Sequence, residues 1–212
     1  MNRARFVALG ALVSFTLAFL AGCGTSAKFR MDFSVPSPVI SPLPIRMATY
    51  YPPQIRTHIY EEKIENHGDF RIDMTGAHEV LFSTVFSSLF EQYVEVENFD
   101  QVPGDMHGII SPSVQEVQIT LPQQTRSDYY EVWIRYQLQL WDRTGQLIHS
   151  WPLAAYGKAN KNNYPTLSRA SAAALHDATE FALRDAAASM SFYFAREPQV
   201  QSWIDSLAGT TS

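Results

Sequence analysis

The 212-residue sequence is poor in cysteine, since its only thiol belongs to Cys23. A single cysteine cannot form a disulfide within its own chain, so the fold must be stable without one. Glycine is also sparse, with 10 residues that never cluster into a phosphate-cradling loop. These shortages exclude a disulfide-rich scaffold and give no indication of a nucleotide-binding site.

Positive charge is scarce as well. The chain has 16 lysine and arginine residues against 21 aspartate and glutamate residues, a formal net charge of −5, and no basic cluster. Nucleic acids and anionic lipid surfaces are bound mainly through dense positive charge. We therefore expect no nucleic-acid partner and no electrostatic adhesion to membranes.

The sequence also lacks any motif of reactive side chains. Its histidines never stand at metal-ligand spacing, and no Gly-x-Ser-x-Gly nucleophile motif occurs. We therefore predict no catalytic residue, no metal site and no cofactor, and hence a protein that is not an enzyme. The enzymatic alternative is a hydrolase whose site is assembled from distant residues, with His149 or His176 beside a carboxylate.

The N-terminus has the order of a secretory signal peptide. Arg3 and Arg5 precede an apolar run of about 16 residues, 6–21, after which the sequence turns polar. A membrane-spanning helix needs about 20 apolar residues, so an uncleaved anchor is the less favoured alternative. We predict a signal peptide over residues 1–22.

The segment Leu20-Ala21-Gly22-Cys23 resembles the lipobox of bacterial lipoproteins. The resemblance implies that Cys23 is acylated, with palmitate among its acyl chains, and becomes the first residue of the mature chain. Two or three acyl chains hold a protein firmly, because each buried methylene contributes about 0.8 kcal/mol. Residue 24 is glycine rather than aspartate, which by the family's sorting rule implies the outer membrane, with the protein facing the periplasm.

Residues 23–44 carry four prolines in their last nine positions, and this composition predicts an extended tether. At about 3.1 Å per residue such a tether would span on the order of 60 Å. The alternative is a first edge strand laid on the domain, because apolar residues alternate with polar ones in its first half, at Phe29, Met31, Phe33 and Val35.

Residues 45–197 predict a single α+β domain, followed by an apolar coda, 198–212, that docks on its core. Strand patterns lie at 45–51, 57–64, 70–74, 94–97 and 108–121, and a long hairpin at 129–156. An apolar stripe at 82–93 and an alanine-rich segment at 168–195 predict two amphipathic helices. We expect a mixed, largely antiparallel sheet covered by these two helices.

The first hairpin strand has the clearest pattern in the chain. Even-numbered residues from Tyr130 to Leu140 are apolar, and most odd-numbered ones are polar. Trp133 and Trp141 interrupt the polar face, and we expect Trp151 of the facing strand to join them. With Arg135 they form a candidate partner-binding site, because tryptophan and arginine anchor interfaces. The alternative is that a helix covers this face and the tryptophans are core.

The order of elements is similar to that of the auxiliary lipoproteins of ABC-type lipid-transport systems and of related envelope-assembly lipoproteins. That resemblance implies a non-catalytic accessory or assembly subunit of an envelope transport complex, which acts by binding protein. It carries over no functional residue beyond Cys23. The alternative function is a periplasmic carrier that binds lipid or glycan in a groove between the phenylalanine-rich helix and the tryptophan-bearing strand.

Overall fold

The computed structural model describes residues 26–164 and 170–209. Its strands are β1 (Ala27–Arg30), β2 (Leu43–Tyr50), β3 (Ile59–Ile64), β4 (Gly68–Asp73), β5 (Phe90–Val96), β6 (Gly108–Thr120), β7 (Tyr129–Asp142) and β8 (Leu147–Asn160). Its helices are α1 (Pro53–Arg56), α2 (Ala77–Leu89), α3 (Pro122–Thr125), α4 (Ala170–Tyr193) and α5 (Pro198–Gly209). No helix in these two ranges has both the length and the apolar character needed to cross a membrane.

The strands form two sheets. The larger sheet has the order β5-β2-β6-β7-β8, in which β2 runs parallel to both its neighbours and the remaining pairs are antiparallel. The smaller sheet has the order β1-β4-β3, with β1 parallel to β4. The predicted α+β class, the mixed sheet and the long hairpin are confirmed.

The hairpin follows directly from the alternation of the sequence. All even-numbered residues of β7 from Tyr130 to Leu140 are buried against the helices. The turn is closed by Asp142, whose carboxylate accepts hydrogen bonds from the backbone N–H groups of Thr144 (2.8 Å) and Gln146 (2.9 Å). Gly145 adopts the left-handed conformation, at φ 83°, that this turn requires.

Helix α2 buries its aromatic stripe against the inner face of the larger sheet. Phe82 lies edge-on to Tyr136, with ring centroids 5.1 Å apart, and stacks on Phe86 at 5.5 Å. The predicted stripe extended to Tyr93, but the helix ends at Leu89 and Phe90 begins β5. Aromatic and β-branched residues after Phe90 favour a strand, which pairs with β2.

Helix α4 packs on β8 through alanines. Ala174, Ala178, Ala182 and Ala186 repeat every four residues and are fully buried. Opposite them β8 presents Gly157, where a Cβ atom would lie only 2.1 Å from the Ala178 carbonyl oxygen and 2.3 Å from the Ala182 nitrogen. The helix and the strand thus meet backbone to backbone.

The leading segment of the described chain belongs to the domain, so the predicted tether is wrong there. Ala27 is buried and pairs with Phe70, and the Met31 N–H donates to the Asp73 carbonyl at 2.8 Å. Met31 and Phe33 are buried too, so the alternating apolar residues stabilise a docked edge strand. The edge-strand alternative is correct.

The C-terminal coda docks on the core, as predicted, in the form of helix α5. Val200 is fully buried, and Trp203, Ile204 and Leu207 pack against the main core. The Trp203 ring comes so close to Gly108 that a Cβ atom there would lie 3.0 Å from it.

Replacing Gly157 with alanine should lower the free energy of unfolding by about 3 kcal/mol or more, because the new methyl group overlaps the α4 backbone, which cannot yield locally. Urea unfolding monitored by circular dichroism measures this loss. The matched control is Gly104→Ala, since a Cβ there meets nothing within 4 Å, and it should change stability by less than about 0.5 kcal/mol. Equal stabilities of the two variants would contradict the close packing.

Candidate functional site

The outer face of β6, β7 and β8 is the surface on which the sequence predicted a binding site. The two long helices contact the opposite face of the sheet, α2 at Tyr136 and α4 at Gly157. The alternative in which a helix covers the tryptophans is therefore wrong for this half of the sheet. We call the exposed area around Trp133, with its cross-strand neighbours Gln118 and Tyr156, the outer face.

Trp133 is the main apolar group of the outer face. Its side chain is 46% exposed, and its ring lies 4.4 Å from that of Tyr156, measured between centroids, at an angle of 41°. Tyr156 is held in place through its backbone, because its N–H donates to the Asp185 carboxylate of α4 at 3.0 Å. The aromatic pair thus bridges β7 and β8 and is in contact with solvent.

Charged residues of both signs surround the aromatic pair. Arg135 forms an ion pair with Glu116 across β6 and β7, with 2.5 Å between Nη2 and Oε2, and both side chains are largely exposed. Such a solvated pair contributes little to stability. Lys158 lies over the Tyr129 ring at 4.9 Å. The outer face therefore combines an aromatic centre with a mixed polar rim.

Trp141 lies at the border of this surface and is only half-buried. The segment after β5 folds over the β2 side of the sheet, where Phe99 and Met106 pack with Trp141 in a second, smaller core. The rings of Phe99 and Trp141 are 5.6 Å apart. The indole nitrogen of Trp141 is buried without a hydrogen-bond partner among the described residues.

The expectation that Trp151 joins the other two tryptophans is wrong. Trp151 pairs with Leu138, an inward-facing residue, and is only 7% exposed. Its ring stacks on His149 at 5.2 Å and contacts Phe194 in the main core. Trp151 shares its face with the buried Leu153, whereas the residues on either side of Leu153, Pro152 and Ala154, are exposed.

The predicted groove between aromatic helix and tryptophan strand does not exist. Phe82 and Phe86 are fully buried on the inner face of the sheet, whereas Trp133 points to the outer face. The sheet itself separates them, so they cannot line one binding site.

A cavity of about 810 Å³ lies between α5 and the β7–β8 turn, at one end of the molecule. No sequence pattern predicted it. Trp203 and Ile204 supply apolar walls, while Arg46 and His107 supply polar ones. The Arg46 N–H donates to Nδ1 of His107 at 3.2 Å, and the Arg46 side chain donates to the Asp105 carbonyl at 2.7 Å. Partial burial, with the positive charge of Arg46, lowers the pKa of His107. Residues so distant in sequence gave no detectable signal.

A buried polar cluster of His58, His78 and Tyr136 lies beneath β7 and was also missed. The Tyr136 hydroxyl is 2.9 Å from Nδ1 of His78, and the two histidine rings are 5.4 Å apart. Burial, together with His58, lowers the pKa of His78 to about 3, and burial raises the pKa of Tyr136. Both groups are therefore neutral at physiological pH, and the cluster is a structural element of the core.

Each of the two histidines named in the hydrolase hypothesis lies near a carboxylate. His149 Nε2 is 3.8 Å from Glu197, and His176 Nδ1 is 3.3 Å from Asp177. In the described ranges, neither histidine is hydrogen-bonded to a serine or threonine hydroxyl that could act as a nucleophile. Each histidine thus has the neighbouring carboxylate that the hypothesis expects, without a hydroxyl nucleophile bonded to it.

One group of side chains has the composition of a metal site. Ligand atoms of His176, Asp177 and Glu180 lie within 4.8 Å of one another on α4. Two of the three already have partners, since Tyr164 donates to Asp177 at 2.7 Å and Arg184 pairs with Glu180 at 2.5 Å. These bonds satisfy the carboxylates without an ion.

Cys23 and the lipobox lie outside the described residues. No protein-family model matches the sequence, and no curated protein matches it significantly. Protein XCC0632 from Xanthomonas campestris, of the family model DUF330, is similar in structure, with a TM-score of 0.50 and 9% identity over 88% of this chain and 98% of that one. The two proteins share a fold.

Weaker likenesses extend to two further bacterial proteins. A candidate neuraminyllactose-binding hemagglutinin homologue from Helicobacter pylori has a TM-score of 0.49 and 10% identity, over 85% of this chain and all of that one. A minor lipoprotein from Acinetobacter baumannii has a TM-score of 0.46 and 9% identity, over 73% of this chain and 93% of that one. Likenesses of this size add nothing to the assignment of the fold.

Acid should destabilise the protein through His78. The folded state holds the pKa near 3, below the ordinary 6.5, so only the unfolded chain takes up the proton as the pH falls below 6.5. The free energy of unfolding should drop by about 2 kcal/mol between pH 7 and pH 5 from this residue alone. Urea titrations at both pH values measure it.

The variant His78→Leu should lose this part of the pH dependence, despite a lower stability at pH 7 from the unpaired Tyr136 hydroxyl. The control variant His67→Gln changes a histidine of the β3–β4 turn and should keep the full pH dependence of the free energy of unfolding. An unchanged pH dependence in His78→Leu would show that His78 is not the group responsible.

Proposed function

We propose that this chain is a lipid-anchored lipoprotein of the bacterial cell envelope, held in the outer membrane through Cys23 and facing the periplasm. It acts without catalysis, as an accessory or assembly subunit of an envelope transport complex, and it binds its protein partner through the outer face.

The lipid anchor is supported by the sequence. The order of basic residues, apolar run and lipobox at residues 1–23 is that of a lipoprotein precursor. The fold shared with protein XCC0632 gives the architecture alone and identifies no partner, so the role as an accessory subunit rests on the resemblance of the element order to that of auxiliary lipoproteins.

The observation that carries the binding role is Trp133 on an uncovered sheet. A large aromatic side chain that is 46% exposed costs solvation free energy, which burial against a partner recovers. Tryptophan and arginine are the residues that most often dominate interface energetics, and they do so at the centre of a patch with a polar rim. Trp133, Tyr156 and the Arg135–Glu116 pair have this arrangement.

A second candidate function is a carrier that uses the cavity beside α5. Its volume of about 810 Å³ lies in the range of small-molecule sites, and it combines apolar walls with two arginines, Arg46 and Arg143, and two aspartates, Asp105 and Asp142. That lining suits an amphiphile with a polar head group and does not favour one sign of charge. Native mass spectrometry of protein extracted from membranes would detect such a ligand as a bound mass lost on denaturation.

Photo-crosslinking in cells tests the protein-binding role. A benzoylphenylalanine in place of Trp133 should give one dominant adduct with an envelope protein. The same group in place of Phe192, which is 58% exposed on α4, is the matched control and should not give that adduct.

The partner identified in this way should then bind Trp133→Ala at least about 30-fold more weakly than the native chain, the loss typical of an interface hot spot. Phe192→Ala should bind it normally. Equal affinity of both variants would show that the outer face is not the interface.

A further inference from the structure

We propose that the lipid anchor holds the domain directly on the membrane, with the β3–β4 turn against the bilayer and the cavity beside α5 at the far end. This inference rests on the proposed acylation of Cys23. It names the surface that meets the membrane and limits where a partner can be reached.

The first argument is the length of chain between the anchor and the fold. Only Gly24 and Thr25 separate Cys23 from Ser26, whose hydroxyl accepts a hydrogen bond from the Asp69 N–H at 3.2 Å. Three residue steps span at most about 10 Å when fully extended. The acylated cysteine therefore lies within about 10 Å of Ser26. A tether of about 60 Å would have allowed a much larger separation from the domain.

The second argument is how firmly the chain is held after Ser26. Ala27 is 2% exposed and begins the parallel pairing of β1 with β4. Phe29 reaches α4, where its ring lies 5.7 Å from that of His176. Releasing β1 to lengthen the tether would expose these residues together with Met31, so the domain keeps its short connection.

The third argument locates Ser26 at one end of the molecule. His58, which precedes β3, contacts His78, and His78 is bonded to Tyr136 in the middle of β7. The start of β3 therefore lies beside the middle of β7. Tyr60, two residues further, contacts the Ile119 backbone, which is paired with the first third of β7. The β3–β4 turn, with Ser26 beside it, therefore lies beyond the end where β7 begins.

The opposite end carries the β7–β8 turn and the cavity. Strand β7 has 14 residues, so it spans roughly 43 Å at about 3.3 Å per residue. The cavity, lined by Asp142 and Arg143 of this turn, therefore lies about 40 Å along the strand from the first residues of β7, at the end opposite Ser26.

The membrane-facing surface has no excess of positive charge. Around Ser26 the exposed charges are mixed, with Lys28 and Lys63 beside Glu65 and Asp69. Mixed charges give no net attraction to anionic head groups. The covalent anchor alone holds the surface in place, and the chain without acyl groups should not bind vesicles.

Energy transfer to labelled lipid head groups tests the orientation. Acylation consumes the Cys23 thiol, so Glu65→Cys in the β3–β4 turn and Arg143→Cys in the β7–β8 turn each give a unique labelling site. The full-length acylated protein is reconstituted into vesicles of phosphatidylethanolamine and phosphatidylglycerol with an acceptor on the head group. The donor at 65 should lose most of its emission, and the donor at 143 should keep most of its own.

A longer anchor is the control. Fifteen glycine and serine residues inserted between Thr25 and Ser26 add a mean reach of about 22 Å, and the donor at 65 should regain emission. Equal quenching at 65 and 143 in acylated protein would overturn the orientation and leave the proposed lipoprotein intact. A Cys23 without acyl mass in mass spectrometry would overturn both.

Discussion

Helix α4 can lie against the β7–β8 hairpin only because Gly157 has no side chain. The contact brings the helix backbone within van der Waals distance of the strand, so the alanines of α4 suffice to fill the space between them. The remaining layers depend on this position of α4. Phe29 of β1 contacts α4 at His176. Helix α2, which lies beside α4, packs on Tyr136. The segment that follows α4 contacts Phe90 through Phe194.

Local periodicity predicted the elements whose side chains alternate or repeat in sequence. The even positions of β7 are buried as expected, and the stripe around Phe82 is a helix in the core. The end of α2 was misplaced, because Phe90 satisfies helical spacing and also begins a strand. Trp151 was assigned to the wrong face, although the alternation of β8 places it with Leu153 on the inner face, opposite Leu138.

The features that were missed are those built from residues far apart in the chain. The His58–His78–Tyr136 cluster joins three elements, and the cavity joins β2, the β7–β8 turn and α5. Neither has a sequence motif, because each member is unremarkable on its own. The docking of β1 was visible as alternation, but four prolines in the same segment favoured a tether.

The β3–β4 end of the domain and the outer face have separate roles in the proposed function. In the proposed arrangement a short chain joins one end of the domain to the lipid anchor, where Ser26 bonds to the β3–β4 turn. The outer face presents Trp133 beside Tyr156, whose backbone on β8 is bonded to Asp185 of α4. The proposed protein partner would meet an oriented, preformed surface, which reduces the entropy lost on binding. An extended tether would have given reach instead of orientation.

The short connection to the membrane requires that the leading segment is part of the domain. Hydrogen–deuterium exchange of the acylated protein in membranes, read by mass spectrometry on peptides covering 26–35, measures this docking most directly. We expect the amides of β1 to exchange as slowly as those of its partner β4. Exchange of the whole segment at the rate of an unstructured peptide would contradict it.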